Sequence, residues 1–152
     1  MQLSQGNVSE LRAPPDCVVV LAISPDPQDH VSLGGMFSRT RWRLIEAPDC
    51  GNALDLLRRD QVGVLICEAS LPDGSWREML DSVSGLPTSP LLIVASAKPD
   101  DALWAEALNL GAYDVLSKPF DRGEVVRIVS LAWRHWKERT PWTAQEAVGR
   151  PS

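Results

Sequence analysis

Five short strand-like segments, each followed by a stretch long enough for a helix, constrain this chain more than any other feature. They lie at residues 17–23, 42–46, 62–67, 91–95 and 113–116. None approaches the ~20 apolar residues of a membrane span. The runs at 17–23, 62–67 and 91–95 are continuous and rich in β-branched residues, which suits strands buried on both faces. The intervening segments predict helices over 28–38, 48–59, 76–83, 99–110 and from residue 121 onward. Gly34 and Gly35 weaken the first of these. Pro99 is placed to open the fourth as a first-turn proline, and Gly111 to close it. Asp121 is placed to cap the fifth, whose apolar stripe is Val125, Ile128, Val129, Ala132, Trp133 and Trp136. Strands alternating with helices imply a parallel sheet covered on both faces. Sites in such sheets form beyond the carboxyl ends of the strands. The segments to search are therefore Ser24-Pro25-Asp26, Glu68-Ala69-Ser70, Ser96-Ala97-Lys98 and Ser117-Lys118-Pro119.

The chain has 152 residues, enough for one domain of ~100–150 residues. Residues 1–15, ending in Ala13-Pro14-Pro15, read as a flexible leader, 16–139 as the domain, and 140–152 as a tail. Fifteen basic against twenty acidic residues give a net charge of −5. That balance argues against nucleic-acid binding, which requires basic charge to replace counterions. No membrane segment and no signal peptide are visible, so the expected compartment is the cytoplasm. Cys17, Cys50 and Cys67 lack CxxC spacing and predict neither a disulfide framework nor a zinc site. Cys17 and Cys67 fall in apolar runs and read as small buried hydrophobes. No GxGxxG, P-loop or GxSxG is present, and His30 and His135 are far in the chain from any candidate nucleophile. An unrelated enzyme, or a carrier of an organic cofactor, is therefore not expected.

Three segments carry a family resemblance. They are Leu65-Ile66-Cys67-Glu68-Ala69-Ser70-Leu71-Pro72-Asp73-Gly74, Ile93-Val94-Ala95-Ser96-Ala97, and Gly111-Ala112-Tyr113-Asp114-Val115-Leu116-Ser117-Lys118-Pro119-Phe120. In this order and spacing, over roughly residues 17–138, the chain resembles the receiver domains of two-component response regulators. The resemblance implies a doubly wound, flavodoxin-like α/β fold with five parallel strands in the order 2-1-3-4-5. It also implies a phospho-acceptor aspartate, an acidic pair holding a divalent metal, a switch hydroxyl, a lysine and a switch aromatic.

Several of those positions are altered. The acidic pair aligns with Ser24 and Pro25, of which one is a neutral, weak ligand and the other has no side-chain oxygen. The acceptor position holds Glu68, whose carboxylate stands one methylene further out. In group transfer, a displacement of ~1 Å can cost on the order of 10²-fold in rate. The aromatic switch aligns with Val115, which has one stiff torsion and no ring to swing. Ser96 and Lys118 match the hydroxyl and lysine positions. The resulting expectation is a pseudo-receiver, a non-enzymatic signalling module with no metal. The alternative is a receiver still phosphorylated or metal-responsive through Glu68, Asp26 or Asp29.

Lys118 is expected to pair with Glu68. Ser96 either bonds near Glu68 or satisfies local backbone. Asp26 is more simply a helix cap than a metal ligand, and Asp73 sits in a Pro-Asp-Gly turn. Of the six tryptophans, Trp104, Trp133 and Trp136 fall on elements through which receivers dimerise, and are candidate interface residues; the alternative for each is core packing. Trp76 is expected near the loop after the third strand. Expected partners are a histidine kinase or output protein, or a second copy. The short stretch after the last helix is expected to carry no DNA-binding domain.

Overall fold

The computed structural model describes residues 17–139. The proposed leader and tail, with Trp142, lie outside these residues. Within them the chain runs β1 (Val19–Ile23), α1 (Pro27–Phe37), β2 (Arg43–Ala47), α2 (Cys50–Arg59), β3 (Val64–Glu68), β4 (Ser70–Leu71), β5 (Gly74–Ser75), α3 (Trp76–Ser84), β6 (Leu91–Ser96), α4 (Asp101–Leu110), β7 (Asp114–Ser117) and α5 (Arg122–Arg139). The main sheet has the order β2-β1-β3-β6-β7 with every pairing parallel. This is the expected order 2-1-3-4-5 once the small antiparallel β4–β5 pair is set aside.

Side chains alternate across a strand, so each strand feeds two cores. Val19, Leu21, Ile23, Leu65, Cys67, Leu92, Val94 and Val115 face α2, α3 and α4. Val18, Val20, Ala22, Val64, Ile66, Ile93, Ala95 and Leu116 face α1 and α5. The α5 stripe is buried as its spacing predicts. Trp133 and Trp136 stack with centroids 4.9 Å apart. They lie against Gly63, where an added Cβ would meet Trp133 at 2.5 Å and Trp136 at 2.8 Å. Hence Gly63, at the entry to β3, is fixed by close packing of α5 and not by a turn.

Helix boundaries follow their caps. Asp26, Asp49, Asp100 and Asp121 each accept a bond from a backbone N–H two or three residues on, satisfying donors that the first turn leaves free. The fourth helix therefore begins at Asp101 after the Asp100 cap, and Pro99 lies outside it. Gly111 ends it in the left-handed region at φ 108°, which a residue without Cβ adopts at no steric cost. The segment after β3, expected as a plain loop, is the β4–β5 hairpin. Cys67 is buried as expected, whereas Cys17 is only partly covered.

Candidate functional site

Three strand ends and one helix start converge beyond the carboxyl edge of the sheet. Glu68 closes β3, Ser24 follows β1, and Lys118 follows β7. Asp29 stands in the first turn of α1, at the head of the buried stripe Asp29, Leu33 and Phe37. That stripe places a carboxylate at the top of the apolar face α1 turns to the sheet.

Lys118 is bonded to two acids. Its Nζ donates to Asp29 Oδ2 at 2.8 Å and also to Glu68 Oε1. The side chains are only 16%, 11% and 16% exposed for Lys118, Asp29 and Glu68 respectively. Burial alone would push the ammonium down, but the bonds to Asp29 and Glu68 outweigh it and hold Lys118 above its ordinary value. Ser24, itself buried, donates from Oγ to Asp29 Oδ2 at 2.7 Å and accepts from the Asp26 amide at 3.1 Å. Its carbonyl meets His30 Nε2 at 2.8 Å. Glu68 Oε2 receives the Ser70 amide at 3.4 Å.

The other anticipated residues distribute around this centre. Pro25 is exposed and offers no polar side-chain atom. Asp26 caps α1 through the Gln28 amide at 2.9 Å. Ser96 Oγ accepts from the Lys98 amide at 3.2 Å, a local backbone bond. Val115 is fully buried among the residues facing α2, α3 and α4. Trp133 and Trp136 point into the core, so of the three candidate interface rings Trp104 alone is exposed, at 37%. Trp76 is buried beneath Arg77.

Two residues do more than their sequence context suggested. Asp29 had been one of several acids near the site; it is the second anchor of Lys118. Its signal was the i, i+4, i+8 spacing with Leu33 and Phe37, which marks an acid on a buried face. Asp73 reaches from the β4–β5 hairpin to the start of α2, accepting from the Cys50 amide at 2.9 Å and the Gly51 amide at 3.1 Å. Those two amides hold its carboxyl below the usual aspartate value. Burial and the adjacent Asp73 carboxylate push the Cys50 thiol up to about 11. No spacing rule links residue 73 to residue 50, so only the fold could show this brace.

The family resemblance brings a divalent metal with it, and the donors here do not fit one. Magnesium requires several oxygen ligands in octahedral array, carboxylates among them. Ser24 donates its hydroxyl proton to Asp29, Pro25 supplies no oxygen, and Asp29 and Glu68 already share the Lys118 ammonium. Among the described residues no three His, Cys, Asp or Glu side chains cluster. The space left between Ser24, Asp29, Leu33, Glu68 and Phe120 is about 10 Å³, about the least that holds one water.

Comparison with known proteins gives a consistent picture. The transcriptional regulatory protein KdpE of Mycobacterium tuberculosis is 31% identical over 116 residues, covering 76% of this chain and 51% of its own length. The response regulator protein PilR of Pseudomonas aeruginosa is 32% identical over 107 residues, covering 69% and 23%. This chain thus spans about half, or less, of the length of these two relatives. The solved signal receiver domain of an HD domain-containing protein from Pseudomonas fluorescens Pf-5 superposes with a TM-score of 0.74 at 27% identity, over 81% of this chain and 91% of that one. The family model of the response regulator receiver domain matches residues 20–130. With the sheet order, the site at its carboxyl edge and a family match over most of its length, the chain belongs to the response regulator receiver domain family.

Proposed function

We propose that this receiver is a pseudo-receiver: a cytoplasmic protein-interaction module whose output does not depend on metal-assisted aspartyl phosphorylation. One observation carries the reading. Lys118 is held jointly by Asp29 and Glu68, so the ammonium at the carboxyl edge of the sheet is engaged by two acids and offsets one of their charges from within. Phosphoryl transfer relies on a metal and on fixed cations to offset charge on the moving group. Here the family's metal-binding pair is Ser24 and Pro25, and the lysine is already bonded. Glu68 also misplaces the acceptor oxygen by a methylene.

The output side points the same way. A group shifts two states only by its differential interaction with them. Val115 is buried with no ring to move, and Glu68 carries less charge and fewer oxygens than a phosphoryl group. The domain is then a single conformation recognised as it stands by a histidine kinase, an output protein or a second copy. The face for that contact carries Trp104 and Leu108, 37% and 50% exposed and one turn apart on α4.

The test is a magnesium titration of the full chain followed by acetyl phosphate, read by tryptophan fluorescence and intact mass. The expected result is no saturable change at millimolar metal and no mass gain. Sub-millimolar binding, or a phosphoryl adduct, would instead establish the alternative of a receiver acting through Glu68, Asp29 or Asp26. In a partner-binding assay, Glu68→Asp and Glu68→Gln should change affinity little, while Trp104→Ala should weaken it. The reverse pattern would make the domain a locked switch.

A further inference from the structure

A groove lies at the opposite edge of the sheet, where β1 begins and α5 ends. It is lined by Val18, Trp42, Ser130, Trp133, Arg134 and Lys137. The floor is apolar: Val18 and Trp133 are buried, and Trp42 stands edge-on to Phe37 at 5.2 Å. The rim is cationic. Arg134 is exposed and Lys137 half-buried. Arg39 and Arg41, both exposed, precede Trp42 in the α1–β2 connection, and the Arg41 carbonyl meets Cys17 Sγ at 3.5 Å beside Val18.

Arg43 pairs with Asp60, Arg58 with Asp55 and Arg77 with Glu106. Among the described residues, Arg39, Arg41, Arg134 and Lys137 have no ion-pair partner, and the one acid beside Lys137 in the chain is the exposed Glu138. Arg59, Lys98, Arg122, Arg127 and Arg139 also lack an ion-pair partner among the described residues, but none of them lines this groove. Unpaired positive charge thus frames an indole-lined groove on a protein whose net charge is −5.

That combination selects a partner chemistry. Guanidinium forks match carboxylates, and indole faces take large apolar groups. A polyphosphate backbone would be repelled by a chain this acidic, whereas a short acidic segment meets only the local field. We infer that this groove docks an acidic peptide segment of a partner protein, with an apolar side chain against Trp42 and Trp133 and flanking carboxylates on Arg134 and Lys137. The inference is independent of the Lys118 site, which lies beyond the other edge of the sheet.

The experiment uses the full isotope-labelled chain and a blocked peptide, Glu-Glu-Leu-Phe-Glu-Glu. Saturable shifts of the Trp42 and Trp133 indole resonances are expected, weakening as salt is raised. Arg134→Glu with Lys137→Glu should lower affinity at least about tenfold, and the milder pair Arg134→Gln with Lys137→Gln should act in the same direction. A peptide with Lys in place of Glu should not bind. The proposal is overturned by the absence of saturable shifts, or by equal affinity in both double variants. It is also overturned by tighter binding of a DNA duplex at the same salt. If the double variants, without peptide, move resonances of residues 1–16, the groove belongs to the chain's own N-terminal segment and the partner reading fails.

Discussion

Replacing Lys118 with Met removes the ammonium while keeping most of the side-chain volume. Two carboxylates then face each other with no cation between them. At an effective dielectric near 20, a charge pair at the 2.8 Å of Lys118 and Asp29 attracts by about 6 kcal/mol before desolvation is subtracted. Breaking a fully buried pair costs roughly 3–5 kcal/mol. Here the acids are 11% and 16% exposed, and partial hydration moderates the loss to about 3 kcal/mol. For a domain of this size that corresponds to a fall of roughly 10 °C in Tm, measured by thermal denaturation at neutral pH. Lys118 is raised above its ordinary 10.5, so its contribution is complete below that value and disappears only as pH climbs through the higher folded value. A second substitution sharpens the test: Asp29→Asn on the Lys118→Met background removes one of the two stranded charges and should restore part of the loss. An unchanged Tm in Lys118→Met, or a further drop in the double variant, would refute the reasoning.

Gly63→Ala should cost about 1–3 kcal/mol by overpacking, because the new methyl meets both stacked indoles; a melt superimposable on the parent's would mean that Trp133 and Trp136 yield without strain. Asp73→Ala should lower Tm at neutral pH by freeing the Cys50 and Gly51 amides. Since Asp73 is held low, the difference from the parent should persist above the ordinary aspartate value and close in acid, as the parent carboxyl protonates through its lowered folded value. Cys50, pushed up to about 11, should alkylate slowly at neutral pH and faster in Asp73→Ala; equal rates would remove Asp73 from its environment. Gly111→Ala should destabilise by about 1 kcal/mol, because φ at that position is left-handed, and a neutral melt would contradict the cap.

The central strands were legible because a strand buried on both faces leaves a continuous apolar run, as residues 17–23, 62–67 and 91–95 do. The α5 stripe was equally plain, since its six apolar positions follow helical spacing. Proline marked the α4 start too early: Pro99 and Asp100 both suit a helix entrance, and the carboxylate that bonds the Leu103 amide decides between them. The β4–β5 hairpin pairs two residues with two, too few for any alternation to register. Within the site, Glu68 and Lys118 were found through their segments, whereas Asp29 was named only as an alternative acid and not as a partner of Lys118. An acid in a first helical turn is usually explained by the helix dipole, and only its register with Leu33 and Phe37 tells otherwise. The tryptophans show the converse limit. Spacing puts Trp133 and Trp136 on one side of α5, yet it cannot say whether that side meets the sheet or a partner.

The Lys118 contacts span 50 and 89 residues of chain, and Lys118 follows the edge strand β7, two strands from β3 and three from β1. Such contacts cannot close until β6 has already brought those strands together, because the loop entropy is met first and the ion pairs form afterwards. Interactions absent from the folding transition state leave the folding rate unchanged and appear wholly in the unfolding rate. The shared ammonium then acts as a bolt thrown last: Lys118→Met should refold at the parent's rate and unfold faster by most of the measured stability difference. What the third charge of the site sets is how long a native molecule lasts, not how quickly one is made.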